Sequence, residues 1–502
     1  MQRSVSCKTT TRVLIAMTLL ATAGCTVGPK YHPPSAPSVT TYTPRPLPTE
    51  TVSSPGPAGD PQHFLVADDL PADWWTLFHS TELDSMVREA LNNSPTLAAE
   101  AARLRQAQEE VRARIGATRY PTIGGNASVV GQQLDLAAYG IPFPNPSPFA
   151  LLNGSVGFSY ALDLFGANRR LIESLRAQAE YQQWQLEGGR LMLEGNVVAA
   201  AIRQASLHSQ ISLREQLIVL QRKELQITEE RNRAGGASDN DVRSQNILLA
   251  EAEASLPPLR QQLDVVNDEL AVLMGRPPAD SPIREIALQS LQLPRDLPLT
   301  LPSSLVRQRP DIRAAESLLH QASANVGVAV ANRYPQITLS ASGGALGTSF
   351  VSGGEIWNVG AGLAAPLYNG GALKAEQRKA QAGYDEAASE YRQTVLQAFQ
   401  QVADTLYAIQ NDAQTLQSRT EAAEQAAASY KASVQRYHAG GASQLALLEA
   451  ERRQLETELD RTGSVANRYL DSVTLYQALG GGWWNSHSFA SGSTSKATAT
   501  TH

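Results

Sequence analysis

Across residues 155–164 the chain alternates without a break. Val156, Phe158, Tyr160, Leu162 and Leu164 share one side, and Ser155, Gly157, Ser159, Ala161 and Asp163 share the other. A period of two predicts a β-strand, and this length with apolar residues opposite small or polar ones suits a strand that crosses a membrane. The pattern returns at Trp357, Val359, Ala361, Leu363, Ala365 and Leu367 against Asn358, Gly360, Gly362 and Ala364. Weaker alternation over 123–130 and 337–343 precedes each, so two β-hairpins are expected. Elsewhere the period changes. Residues 168–234 and 373–439 contain no proline, and at 1.5 Å per residue each would reach roughly 100 Å as one helix. Gly188, Gly189 and Gly195 predict some local weakening in the first. In the second, Val395, Phe399, Val402, Leu406, Ile409, Ala413 and Leu416 alternate spacings of four and three, a coiled-coil seam. The first carries two overlapping series, Ile211/Ile218/Leu225 and Leu213/Leu220/Ile227, on opposite sides, which predicts a neighbour on each flank.

These elements occur twice. Pro95-Thr96-Leu97-Ala98-Ala99-Glu100 is echoed around Pro310 to Glu316, Arg119-Tyr120-Pro121 returns as Arg333-Tyr334-Pro335, and Ala234-Gly235-Gly236-Ala237-Ser238 returns as Ala439-Gly440-Gly441-Ala442-Ser443. The echoes keep their order, so the chain reads as two similar halves of one object. The expected fold is mainly α with membrane β, a duplicated unit of helix, β-hairpin, long helix and return helix. The first repeat, 68–280, holds a hairpin at 120–165, a long coil at 166–234 and a return helix at 239–274. The second, 281–482, holds a helix at 303–332, a hairpin at 334–368, a long coil at 369–439 and a return helix at 443–479. Residues 483–502 are expected to be a disordered tail.

The start of the chain is an address. Arg3, Lys8 and Arg12 precede a short apolar run and then Thr22-Ala23-Gly24-Cys25, so 1–24 is expected to be a secretory signal peptide. Small residues before a cysteine resemble a bacterial lipoprotein cleavage box, with Thr22 standing where Leu is usual. A diacylglycerol and N-acyl lipid on Cys25 is then expected, and no other cofactor. A plain signal peptide with an incidental cysteine is the alternative. Residues 25–67 are rich in Pro and Thr and are expected to form an extended arm that cannot pack a core. Two cysteines exclude a disulfide scaffold. Forty-two Lys and Arg against 48 Asp and Glu give −6 with no basic cluster, which argues against nucleic acid. The eight His are scattered, no nucleophile elbow or phosphate loop appears, no metal site is expected, and catalysis is not expected.

The junctions favour membrane strands over a sheet covering a soluble core. Tyr120, Phe165, Tyr334 and Tyr368 stand where strand meets helix, positions suited to an interfacial aromatic girdle. Pro121 and Pro335 push the preceding residue out of the helical region. Two hairpins supply four strands, and four cannot close a barrel; open edges in lipid would leave backbone groups unpaired. Other copies of the chain must complete the sheet, and the physics alone leaves the ring size open.

Cys25-Thr26-Val27-Gly28-Pro29-Lys30-Tyr31, Trp74-Trp75-Thr76-Leu77-Phe78, residues 83–95 and Arg309-Pro310-Asp311-Ile312-Arg313 together resemble the TolC-type outer membrane factors, the efflux channels, and more narrowly their lipoprotein branch serving resistance-nodulation-division pumps. The resemblance implies a homotrimer in the bacterial outer membrane: a twelve-stranded transmembrane β-barrel continued by a long α-helical barrel into the periplasm. It implies a belt from residues near 68–92, 276–305 and the last helix, and a periplasmic adaptor and an inner-membrane pump as partners. The function implied is a passive duct for drugs or other small toxic compounds. Alternatives are a periplasm-spanning structural or adaptor lipoprotein without a pore, and a same-fold channel for protein secretion. The resemblance places a closed gate at the two Gly-Gly turns. Asp241 and Tyr437 match residues that hold the mouth shut, and Glu449 matches an acidic position at the constriction. Gly235, Gly236, Gly440 and Gly441 match the turns on which adaptor tips dock. Ala446 and Ala442 depart from the family's second carboxylate and linking arginine. Val156, Phe158, Tyr160, Leu162, Trp357, Val359 and Leu363 are the expected lipid-facing positions.

Overall fold

The computed structural model describes residues 26–486, apart from Ala36, 67–69, Ile141, Phe143, Asn145, Pro146, 281–282 and Phe350. The signal segment 1–24, Cys25 and residues 487–502 therefore lie outside the described residues. In chain order the elements are β1 (His63–Leu65), a 3-10 turn (Trp74–Phe78), α1 (Thr81–Asn93), α2 (Pro95–Arg119), β2 (Thr122–Gln132) and β3 (Phe149–Leu162). Then come α3 (Ala167–Arg233), α4 (Asp239–Leu273), β4 (Asp296–Pro298), α5 (Pro302–Gln308) and α6 (Pro310–Ala331). The chain continues through β5 (Gln336–Thr348), β6 (Val351–Ala364), α7 (Ala372–His438) and α8 (Gln444–Leu479). Both α3 and α7 are single helices of 67 residues. Gly188, Gly189 and Gly195 do not interrupt α3. Gly189 lies against Leu97, and Gly195 lies so close to Gln477 that a methyl group there would clash.

Two compact units divide the chain. The first comprises residues 26–34, 102–183 and 314–392 and contains one four-stranded sheet in the order β2-β3-β5-β6, antiparallel throughout. The second comprises the described residues of 35–101, 184–313 and 393–486. Its core gathers Trp74, Phe78, Leu83, Leu270, Leu297, Leu305, Tyr469 and Tyr476, all essentially inaccessible. Within that unit α3 has its two expected flanks. Arg203, Glu215 and Arg222 meet Glu269, Arg260 and Glu253 of α4 on one side, and Gly195 meets Gln477 of α8 on the other. Six of the seven seam positions of α7 are buried. Phe399 is half-buried instead, edge-on to Tyr42 at 5.8 Å.

Three expectations need correction. The arm does pack a core. β1 pairs in parallel with β4, Thr51 and Gln62 are buried, and the Gln62 amide donates to Pro294 O and Ser472 Oγ at 2.9 and 3.0 Å. An extended segment short of apolar mass still contributes because it supplies backbone and amide groups to partners that would otherwise be buried unpaired. The buried Arg468 guanidinium takes the carbonyls of Ile409 and Asp60 in the same way. Desolvation lowers its pKa to about 10. The helix expected at 303–332 is two helices, because Pro310 holds Arg309 in an extended conformation between α5 and α6. Residues 483–486 do not belong to a disordered tail. Trp483–Asn485 form a 3-10 turn, and the Trp483 ring stacks edge-on at 5.0 Å from Trp184.

Candidate functional site

The sheet's register gathers the alternating residues of separate strands onto two faces. Ile123, Phe158, Ala341 and Val359 form one cross-strand row, with Val156, Gly343 and Trp357 in the next and Leu162, Ile337 and Leu363 further along. The apolar face is therefore continuous across all four strands, and Trp357, Val359 and Leu363 are more than two-thirds exposed on it. Tyr160 pairs with Leu339 on that face. The opposite face carries Thr122, Ser159, Ser340 and Gly360 in one row and Gly124, Gly157, Ser342 and Asn358 in the next. Among the described residues, the outer edges of β2 and β6 have no partner strand.

The four junction aromatics separate into a centre and two edges. Phe165 and Tyr334, from different repeats, stack at 4.7 Å and 20°. Tyr120 and Tyr368, at the outer ends of β2 and β6, are exposed, Tyr368 almost completely. The chain beside Cys25 is fixed at the same junction, which periodicity could not show. Val27 N–H donates to Phe165 O at 3.2 Å, and the buried Arg170 reaches the carbonyls of Val27 and Gly28 at 3.4 Å each. Gly28 has a φ of +93° and lies so close to Gly327 that a Cβ would fall 2.6 Å from its Cα.

The two Ala-Gly-Gly-Ala-Ser turns close with the same hydrogen bonds. Gly236 N–H donates to Arg231 O and Gly235 N–H to Asn232 O; Gly441 and Gly440 do the same to Arg436 and Tyr437. Gly235 and Gly440 take φ of +75° and +73°, the left-handed position such a helix end requires. Ser238 and Ser443 then cap α4 and α8. The copies differ at the third helical residue. Asp241 completes a capping box, accepting from Ser238 N–H at 2.7 Å and from its hydroxyl at 2.8 Å, while Ala446 cannot. Those bonds hold the Asp241 carboxyl below the usual carboxylate range. Replacing Ser238 with Ala should weaken the first cap by about 1 kcal/mol. Ala446→Asp should strengthen the second, and amide exchange in the first turns of α4 and α8 would read both.

Tyr437 is partly exposed, with its ring 5.9 Å from that of His438. Glu449 does not stand alone. Arg452 is forked between Glu449, at 3.0 Å from its Nε, and Glu456, to which it also hydrogen-bonds. Glu224 of α3 faces this group from a site only 3% exposed, its Oε1 unpartnered; burial first, then the charge of Glu449, raises its pKa. Sequence reasoning missed Arg452, Glu456 and Glu224. The spacing of 449, 452 and 456 on one helix was a usable signal, whereas Glu224 occupies a core position of a helix seam and gives no sign of its neighbours.

A family model described as "Outer membrane efflux protein" matches the chain twice, over residues 86–276 and 301–481. The chain belongs to the outer membrane efflux protein family. The two matched stretches coincide with the two halves of the duplication. This efflux protein is 33% identical over 420 residues to the pyoverdine export outer membrane protein OpmQ of Pseudomonas aeruginosa, covering 82% of this chain and 87% of that one. It is 27% identical over 476 residues to the toluene efflux pump outer membrane protein TtgC of Pseudomonas putida, covering 94% and 95%. Among solved structures it is similar to the outer-membrane channel OprN, with a TM-score of 0.77 at 27% identity over 91% of this chain and all of that one. The efflux protein's fold is that of the TolC-type channels: long helices and a β-sheet domain in a duplicated chain.

Proposed function

We propose that the protein is the outer-membrane duct of a tripartite efflux pump, that three copies close one barrel of twelve strands, and that it exports small amphiphilic or toxic compounds without chemistry of its own. The observation that carries this reading is a four-stranded sheet with one continuous apolar face and two open edges. In lipid each unpaired backbone group costs several kcal/mol, so β6 of one copy must pair with β2 of the next. That pairing brings Tyr368 to Tyr120 of the neighbour and continues the girdle begun by Phe165 and Tyr334. The relatives' export of pyoverdine and toluene supports a small-molecule cargo over a protein. A periplasmic adaptor and an inner-membrane pump are the proposed partners. An adaptor-like protein without a pore has no use for a duplicated membrane hairpin.

Lipidation of Cys25 belongs to the same reading. Thr26–Gly28 are held against Phe165, Gly166 and Gly327, so an acyl chain on the preceding residue would leave the protein beside the aromatic junction, where a bilayer surface would lie. The proposed gate is the pair of turns with Asp241, Tyr437 and the group around Glu449, and adaptor tips would dock on Gly235, Gly236, Gly440 and Gly441. Deleting the gene should sensitise the host to small amphiphilic toxicants, and the wild-type gene should restore resistance. Unchanged susceptibility across such a panel would contradict export.

A further inference from the structure

Four aliphatic side chains, with Phe149 one position further toward the hairpin tip, interrupt a face of the sheet that is polar from there to the helices. Val130, Leu151, Leu346 and Ile356 share the side of Ser155, Ser342 and Asn358, as their register shows. From these four to the helix-side ends of the paired strands, that face carries only Gly, Ala, Ser, Thr, Asn and Gln, with Asp163 following at the end of β3. Val130, Leu346 and Ile356 are exposed, and Leu151 is half-buried.

Their positions are level with one another. Along the chain they lie ten, fourteen, twelve and twelve residues from Tyr120, Phe165, Tyr334 and Tyr368, the aromatics at the junctions of their own strands. In the ladder they run diagonally. Val130 pairs with Leu151, Leu346 sits beside Asn153 in the next row of that face, and Ile356 shares the row beyond with Gly344 and Ser155. Barrel strands tilt by roughly 35–45°, so a diagonal of this kind becomes a ring perpendicular to the barrel axis. A second observation fixes which end it occupies. Glu355, adjacent to Ile356, brings a carboxylate onto the apolar face, beside Ala345. Charge is tolerated on a lipid-facing strand only near the margin of the hydrocarbon band.

We propose that Val130, Leu151, Leu346 and Ile356 form an apolar collar just inside the outer mouth of the barrel, and that this collar selects for solutes with an exposed apolar part over strongly hydrated ones. The inference rests on the oligomeric channel proposed above. Hydroxyl and amide groups along the rest of the wall substitute for a solute's hydration, whereas the collar offers no hydrogen bond and favours burial of hydrocarbon.

The test uses the full-length protein reconstituted in planar bilayers, with symmetrical tetraalkylammonium ions added from the side of the β-barrel. Tetrapentylammonium should block the wild-type current about tenfold more tightly than tetraethylammonium, because its longer chains bury more apolar surface. In the double variant Leu346→Ser/Ile356→Ser that ratio should fall to about twofold, with heat-resistant oligomers retained. Ile356→Thr, which keeps the branched shape, should give an intermediate ratio if the double variant assembles poorly. An unchanged ratio in assembled variants overturns the collar alone. A wild-type protein that is monomeric in mild detergent overturns the channel and the collar with it.

Discussion

Replacing Phe158 and Tyr160 with Lys should abolish heat-resistant oligomers, while Ser159→Lys, between them in the same strand, should leave assembly intact. Phe158 and Tyr160 project from the apolar face, in rows with Ala341 and Leu339, within the half of β3 nearer the helices. A lysine on the lipid face costs roughly 2–4 kcal/mol at the bilayer midplane and less toward its margins. Two together remove a large share of a typical net stability of about 5–15 kcal/mol. Ser159 projects to the polar face between Thr122 and Ser340, where a lysine stays hydrated. The helical circular dichroism signal should survive in both variants, since the core around Trp74, Tyr469 and Tyr476 lies outside the sheet. Equal loss of oligomers in Ser159→Lys and the double variant would mean that the two faces are not lipid and lumen.

Glu194→Gln should stabilise the protein at pH 8 and have little effect at pH 5. The Glu194 carboxyl is buried in α3, accepting from Trp74 Nε1 at 3.3 Å and Arg190 Nε at 3.0 Å. Burial outweighs both partners and raises its pKa to about 7, with Glu187 adding a smaller push in the same direction. The unfolded chain ionises this group near its ordinary value, so the folded state binds the extra proton. Stability from this group is thus fully present below about pH 4.5 and is lost as pH rises through about 7. The shift corresponds to a few kcal/mol, on the order of 1.4 per pKa unit. Glutamine accepts from Trp74 and never ionises, so the variant escapes the loss and sacrifices only the Arg190 pairing. Unfolding midpoints in urea between pH 5 and 8 would show the two curves diverging with pH; parallel curves would remove burial as the cause.

The match between sequence and structure follows the range of the interactions involved. Membrane strands, long helices and the Schellman-type turns rest on residues close in the chain, and their patterns are local: alternation at 155–164, absence of proline, Gly-Gly before Ser. The duplication was legible for the same reason. The helix break at Pro310 is local too, because the proline restricts only the residue before it.

Other features depend on residues far apart in the chain. That Phe165 stacks on Tyr334, that Arg170 holds the residues next to Cys25, that Arg452 faces Glu224 and that Gln62 completes a core 410 positions away at Ser472 are decided by packing. The arm shows the difference most plainly. Its composition excluded an independent core, but not a place in another element's core, because hydrogen-bond satisfaction carries no periodic trace in sequence. By itself the sequence determined the two hairpins, the two long helices with their turns, and the apolar side of the strongly alternating strands. Only the tertiary structure decided the strand order, the register that makes one apolar face from four strands, and the burial that moves Glu194 from an ordinary acid to one titrating near neutrality. Backbone dihedral preferences and side-chain period act within a few residues, whereas register and dielectric surroundings exist only once distant segments have met.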